Sequence, residues 1–425
     1  MNPDGKKELC IAIDYYDLID VYKELFAEEH IDRLLGEYAS RGVTAVQWRV
    51  SVLGRLLYRS KLGDMYTNEP FSADNIPGLA NTSAHVPHIK AAEARGNAEP
   101  FEISSMKKTF YKAKAILDKI DPLEVAVRLC RKHGIKIYPW LTIYDDAGFH
   151  PLTWSNLIRK HPEYCWKSYE GNQYYHGITS YVYPEVVDYR LAQIKEMLSY
   201  NPDGIHLCTR SHSRPPGYNE EFMQFLMNHE FCEWRATPSG KKMQELIDAA
   251  KKHFGFDPPA VDAFEKKTGR KPSPDDDEWW KFRGAYLTDF LRKAKKLISE
   301  NNAELSFGPR YDFNIYPENF FDWAAMLNEK IADQLHYGAT DNYCDKNNIT
   351  KEWPEFLDSP GLKNYFFCVK SNKNSSDFIK SFEATGNAGF LEKFNGLTIF
   401  ESFHLSLNPE LWNFVDYLKK SASFK

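Results

Sequence analysis

Residues 202–217 read P-D-G-I-H-L-C-T-R-S-H-S-R-P-P-G. Arg210, His212 and Arg214 bring two guanidiniums and an imidazole into five residues, just past an apolar alternation at Ile205 and Leu207. Guanidiniums grip carboxylate or sulfate oxygens through paired hydrogen bonds, and an imidazole exchanges protons near neutral pH. Pro215-Pro216-Gly217 then stops the segment. Groups of this kind at the end of a buried strand are suited to lining a pocket, because binding residues gather on strand-end loops. A solvated polar loop is the plainer alternative.

Carboxylates close other apolar runs. Asp14 follows L-C-I-A-I, Asp145 and Asp146 follow I-K-I-Y-P-W-L-T-I-Y, Asp312 follows L-S-F-G-P-R-Y, and Asp341 follows A-D-Q-L-H-Y by a few residues. Glu401 lies inside the run L-T-I-F-E-S-F, where a carboxylate must face a polar partner or a pocket. Glu401 is therefore the first candidate for a catalytic acid, base or nucleophile. Asp146, Asp312 and His212 are further catalytic candidates. A buried Glu401–arginine pair with a purely structural role is the alternative. Arg49, Arg210, Arg214 and Arg310 are candidates for holding an anionic group, or each neutralises a nearby Asp or Glu. Asp14, Asp145 and His336 are candidates for contacting the same ligand. Trp48, Trp140 and Tyr144 are candidate stacking surfaces for a sugar ring, or core rings. The imidazoles together with Asp145 or Glu401 could hold a divalent metal. Neither H-x-H nor H-E-x-x-H occurs, so no metal and no cofactor is expected.

These residues need elements that bring them together. Apolar runs recur at 9–16, 43–52, 135–144, 205–209, 305–311, 332–337, 365–370 and 397–403. Helical patterns separate most of them. One covers 28–41 and is closed by Gly42; another is opened by Asp121-Pro122 and ended by Gly134. Eight strands alternating with helices predict an α/β fold, a single (β/α)8 barrel over 1–425. Two insertions interrupt it, a lid-like loop at about 53–104 after the second strand and a helical stretch at about 215–300 after the fourth. A doubly wound open sheet is the alternative. It usually carries a glycine-rich turn after its first strand, and none follows Ile13. In a barrel all strand ends open on one face, so Arg210, His212 and Glu401 are expected to share a pocket with Asp14, Arg49, Asp146 and Arg310.

The composition narrows the function classes. The chain has 425 residues, 43% hydrophobic and 27% charged, with a net charge of -5, which gives no reason to expect nucleic acid or an anionic membrane. Aromatic content of 15% suits stacking on sugar rings and core filling alike. Seven cysteines without a C-x-x-C pair argue against a disulfide framework and for a reducing, cytoplasmic setting. No apolar run approaches membrane-spanning length, and the first residues carry no apolar leader. Oligomeric state is not legible.

Several stretches resemble a known group. W-R-V-S-V-L-G near Trp48, D-P-L-E-V-A-V near Asp121, K-I-Y-P-W-L-T-I-Y-D-D near Asp145, L-C-T-R-S-H-S-R-P-P-G near Arg210 and F-G-F-D-P-P near Phe254 resemble bacterial glycosyl-hydrolase-like, family-10-like barrel proteins. The resemblance covers most of the chain in order. It implies a (β/α)8 barrel and a carbohydrate ligand, an oligosaccharide or glycoside with acidic groups among the options. Barrel glycosidases often carry Glu or Asp at the end of the fourth strand. Thr209, Arg210 and His212 stand there in this chain. The expected function is glycoside hydrolysis. A lyase or isomerase using His212, and a sugar-binding barrel without catalysis, are the alternatives.

Overall fold

A computed structural model describes residues 7–21, 26–52, 54–62, 65–66, 101–146, 154–209, 253–308, 322–337, 361–369, 394–400, 402–407 and 409–420. The strands are β1 (Glu8–Ile13), β2 (Ala45–Arg49), β3 (Ser51–Val52), β4 (Arg55–Leu56), β5 (Lys136–Thr142) and β6 (Cys165–Lys167). They continue with β7 (Tyr174–Thr179), β8 (Gly204–Cys208), β9 (Glu304–Gly308), β10 (Gln334–Tyr337), β11 (Lys363–Val369) and β12 (Gly396–Phe400). Eight of them close into a barrel in chain order, β1-β2-β5-β8-β9-β10-β11-β12, with β12 pairing back onto β1. Every barrel pairing is parallel. This is the (β/α)8 barrel that the alternating pattern predicts.

The helices are α1 (Tyr15–Val21), α2 (Glu28–Ser40), α3 (Phe101–Leu117), α4 (Pro122–His133), α5 (Asn156–Lys160) and α6 (Pro184–Leu198). After them come α7 (Pro258–Thr268), α8 (Asp277–Glu300), α9 (Trp323–Asn328), α10 (Ser402–Leu407) and α11 (Leu411–Lys420). The helix at Asp121 forms as its sequence dictates. The Asp121 carboxylate accepts from the Leu123 N–H at 3.1 Å, and Gly134 ends the helix at φ 68°. That left-handed backbone suits glycine, which carries no Cβ to clash. Within the predicted helical stretch after β8, α8 packs against α6 and β9, and so covers the barrel's outside between β8 and β9.

Several predicted boundaries move. The first strand stops at Ile13, and Tyr15 and Tyr16 open α1 instead. The second stops at Arg49; Ser51 and Val52 pair antiparallel with β4 in a small sheet beside the barrel. The Tyr- and Gly-rich segment 169–183 supplies β7, which pairs antiparallel with β6 just before it. Helix α3 was not foreseen in the sequence.

Strand alternation sorts the barrel residues into two sets. Ile205 and Leu207 of β8, with Ile11 and Ile13 of β1 and Val46 and Trp48 of β2, join the main core between strands and helices. The other set points inward and lies in layers. At the base, the Tyr138 hydroxyl donates to Glu304 at 2.6 Å and the Tyr365 hydroxyl to Glu8 at 2.5 Å. Higher up, His206 bonds Ser306 at 2.8 Å and Gln47 at 3.2 Å, and His336 bonds Thr398 at 2.7 Å. Gly308 makes room for His206: a Cβ there would lie 2.8 Å from the imidazole. Nearest the C-terminal end, Ala12, Trp140, Cys208 and Phe400 form the last inward layer.

Candidate functional site

The C-terminal ends of β1, β2 and β5 build a compact charged cluster. Arg49 is the last residue of β2, Asp14 follows β1, and Asp145 is the third residue after β5. The Arg49 guanidinium donates to the Asp14 carboxylate and, at 3.3 Å, to Asp145. Its Nε donates to the Ser51 carbonyl at 3.0 Å. Its planar face lies over the Trp140 ring, 4.9 Å from the centroid, in cation–π geometry. All four side chains are buried, Asp14 and Arg49 at 1% exposure and Asp145 and Trp140 at 2%. Charges this deep need partners, and the pairing supplies them.

The surroundings fix the cluster in place. The Tyr16 backbone N–H donates to Asp14 at 3.2 Å. The Thr142 N–H donates to the Ser51 hydroxyl at 3.2 Å, tying β3 to the end of β5. The Tyr66 hydroxyl donates to the Val52 carbonyl at 3.3 Å. Burial pushes the Tyr66 phenol well above its ordinary pKa, with Tyr16 and Asp14 adding to the rise and Arg49 and Arg55 opposing it.

Asp146 turns another way. Its carboxylate accepts from Arg190 of α6 and, at 3.0 Å, from the Thr179 hydroxyl of β7. Burial pushes the Asp146 carboxyl above its usual range, while Arg190 and Thr179 pull against that rise. Arg190 also donates to Gln193 at 2.8 Å. This second buried pair clamps the β5 end and β7 onto α6.

Other predicted residues are kept from the mouth by the direction they face or by their depth. Trp48 neighbours Arg49 on β2, so it faces outward and packs on Tyr15 at 4.8 Å between centroids. Tyr144 sits in the outer core against Tyr181 and Trp166, at 5.6 and 5.9 Å. His336 points inward but lies deeper, stacked on Tyr365 at 4.3 Å. Its ring nitrogens bond the Thr398 hydroxyl and, at 3.2 Å, the Gln334 side-chain oxygen. Burial lowers its pKa to about 3, so the ring is neutral at ordinary pH.

The structure thus brings Asp14, Arg49, Asp145 and Trp140 together. Arg210, His212, Arg214, Arg310, Asp312 and Glu401 lie outside the described residues. The described chain reaches them from one end of the barrel, through Thr209, Gly308 and Phe400. Gln47, His206 and Cys208 also face the interior and were not singled out in the sequence. Their signal was present: once Ile205 and Leu207 face out, His206 and Cys208 must face in. Among the described residues, no group of three or more His, Cys, Asp or Glu side chains gathers as metal ligands would.

No protein-family model matches the sequence, and no curated protein does. Solved structures similar to this chain exist at low identity. The catalytic domain of a β-amylase from Paenibacillus polymyxa is 10% identical, with a TM-score of 0.47, over 98% of this chain and 97% of that one. Dispersin B is 12% identical, with a TM-score of 0.46, over 98% and 99%. An α-L-fucosidase isoenzyme from Paenibacillus thiaminolyticus is 8% identical, with a TM-score of 0.49; this chain spans about half of that one, at 49%. The assignment of the barrel rests on the strand pairing itself.

Proposed function

We propose that the protein is a carbohydrate-active enzyme, a glycoside hydrolase working at the C-terminal mouth of its barrel. The observation that carries this reading is the Asp14–Arg49–Asp145 cluster set over Trp140 at the strand ends. Function in such barrels sits on that face. Carboxylates accept the hydroxyls of a sugar, and here two of them are held by one guanidinium.

Glycoside hydrolysis uses two carboxyl groups flanking one bond. Asp14 and Asp145 are committed to Arg49, and Asp146 to Arg190. In our reading these orient and support. Glu401, the first residue past the C-terminal end of β12, takes the acid or nucleophile role. Asp312 and His212 are its candidate partners, because they follow β9 and β8 in the chain. Arg210, Arg214 and Arg310 are assigned to any acidic group of the substrate, since the donors of Arg49 are already engaged. The test is a panel of neutral and acidic oligosaccharides, with products separated by chromatography. Release of a shorter sugar from at least one substrate is expected. Binding without turnover across the panel would point instead to a sugar-binding barrel.

A further inference from the structure

The indole N–H groups of Trp48, Trp140 and Trp279 are buried without a hydrogen-bond partner. Such a donor loses its water and gains nothing in return. Trp48 and Trp279 sit in the core between strands and helices, against Tyr15 at 4.8 Å and Phe256 at 5.4 Å. Trp140 differs in its place. It lies inside the barrel in the last inward layer, beneath the charged cluster of the mouth. One ring face is covered by Arg49, and His206 and Phe400 meet the ring in edge-on geometry at 6.1 and 5.9 Å. A ring capped in this way is poorly placed to stack on a sugar. What it has to offer is its N–H.

We propose that the Trp140 indole N–H is a ligand-binding donor that takes a hydroxyl or ring oxygen of the sugar at the floor of the mouth. This rests on the proposed sugar-binding mouth. The chemistry is complementary. Asp14 and Asp145 are carboxylates, and the donors of Arg49 are directed to Asp14, Asp145 and Ser51. A sugar hydroxyl both donates and accepts, so it can give its proton to a carboxylate and receive one from the indole. The pairing would satisfy the Trp140 N–H and fix the orientation of the sugar in one contact.

The test needs no known substrate. The probes are methyl glycosides in the gluco, galacto and manno series and of N-acetylglucosamine, titrated into the 15N-labelled full chain. The Trp140 indole resonance is identified by its loss in Trp140→Phe, which keeps a ring and removes the donor. At least one glycoside should move that resonance. Trp140→Phe should bind the same glycoside about tenfold more weakly. One monodeoxy version of it should bind worse than the parent to the wild-type protein, yet no worse than the parent to Trp140→Phe. If Trp140→Phe does not fold, the resonance is assigned by triple-resonance spectra of the labelled wild-type protein and the deoxy series on that protein decides alone: the deoxy sugar lacking the contact should leave the indole resonance in place. Binding of glycosides with none of them moving the resonance overturns the inference, as does deoxy discrimination retained in Trp140→Phe. Turnover on the oligosaccharide panel with no glycoside reaching Trp140 would sink this inference and leave the enzyme reading standing. Neither turnover nor glycoside binding would sink both.

Discussion

Arg49 bears the heaviest load of any described residue at the mouth, because two buried carboxylates depend on it. Replacing it with methionine keeps the packing over Trp140 and strands Asp14 and Asp145 in a poorly solvated site. Breaking a buried pair from one side costs about 3–5 kcal/mol, so Arg49→Met should lower the unfolding free energy by about that much in urea titrations. A loss within about 0.5 kcal/mol would mean that water reaches the carboxylates, and that the cluster is looser than its geometry. The sequence made Arg49, Asp14 and Asp145 legible as strand-end residues that a barrel must gather. It did not separate them from Trp48 or His336. Trp48 is adjacent to Arg49 on one strand, so only one of the two can face the mouth, and the apolar run around them hides which. His336 has the right parity but lies too deep, at a height set by strand stagger rather than by local pattern.

The elements were easier to read where they carry their own punctuation. Asp121-Pro122 and Gly134 mark α4 at both ends, and the structure uses them as caps. Asp121 also accepts from the Tyr200 hydroxyl at 2.7 Å, so Asp121→Ala should cost about 1–2 kcal/mol, read as a lowered melting temperature. Helix α3 and the β6–β7 pair lack such signals. The first has mixed polarity and its Pro100 boundary lies inside the Pro- and Ala-rich stretch that reads as a loop, and the second hides its turn among tyrosines and glycines. The polar interior of the barrel makes a prediction of its own. Burial lowers the His336 pKa from about 6.5 to about 3, so this group contributes stability that is full above pH 6.5. As pH falls from there, the unfolded chain binds a proton that the folded chain refuses. Stability should drop by up to about 1.4 kcal/mol per pH unit toward pH 3. Denaturant titrations across this window should show that slope in the wild-type protein and a shallower one in His336→Gln. Equal slopes would contradict a neutral, desolvated His336.

At the scale of the molecule, the barrel was the most legible feature, since eight spaced apolar runs with helices between them leave few other closed topologies. Among the described residues no helix is long and apolar enough to cross a membrane. Cys10, Cys130, Cys165 and Cys208 are buried, and burial raises the thiol pKa of Cys10, Cys130 and Cys165. Mass spectrometry after brief alkylation should find peptides bearing these four unmodified in the folded protein and modified after unfolding; fast labelling of Cys10 in the native state would argue against a closed barrel interior. Chemistry was less legible than fold, because it depends on side chains that converge from distant strands. The most direct test of the central claim is turnover by the wild-type protein and by Glu401→Gln on any oligosaccharide that the panel shows to be cleaved. The account predicts that cleavage by Glu401→Gln falls by orders of magnitude, with substrate affinity and melting temperature unchanged. Turnover equal to wild type in a folded Glu401→Gln would contradict it.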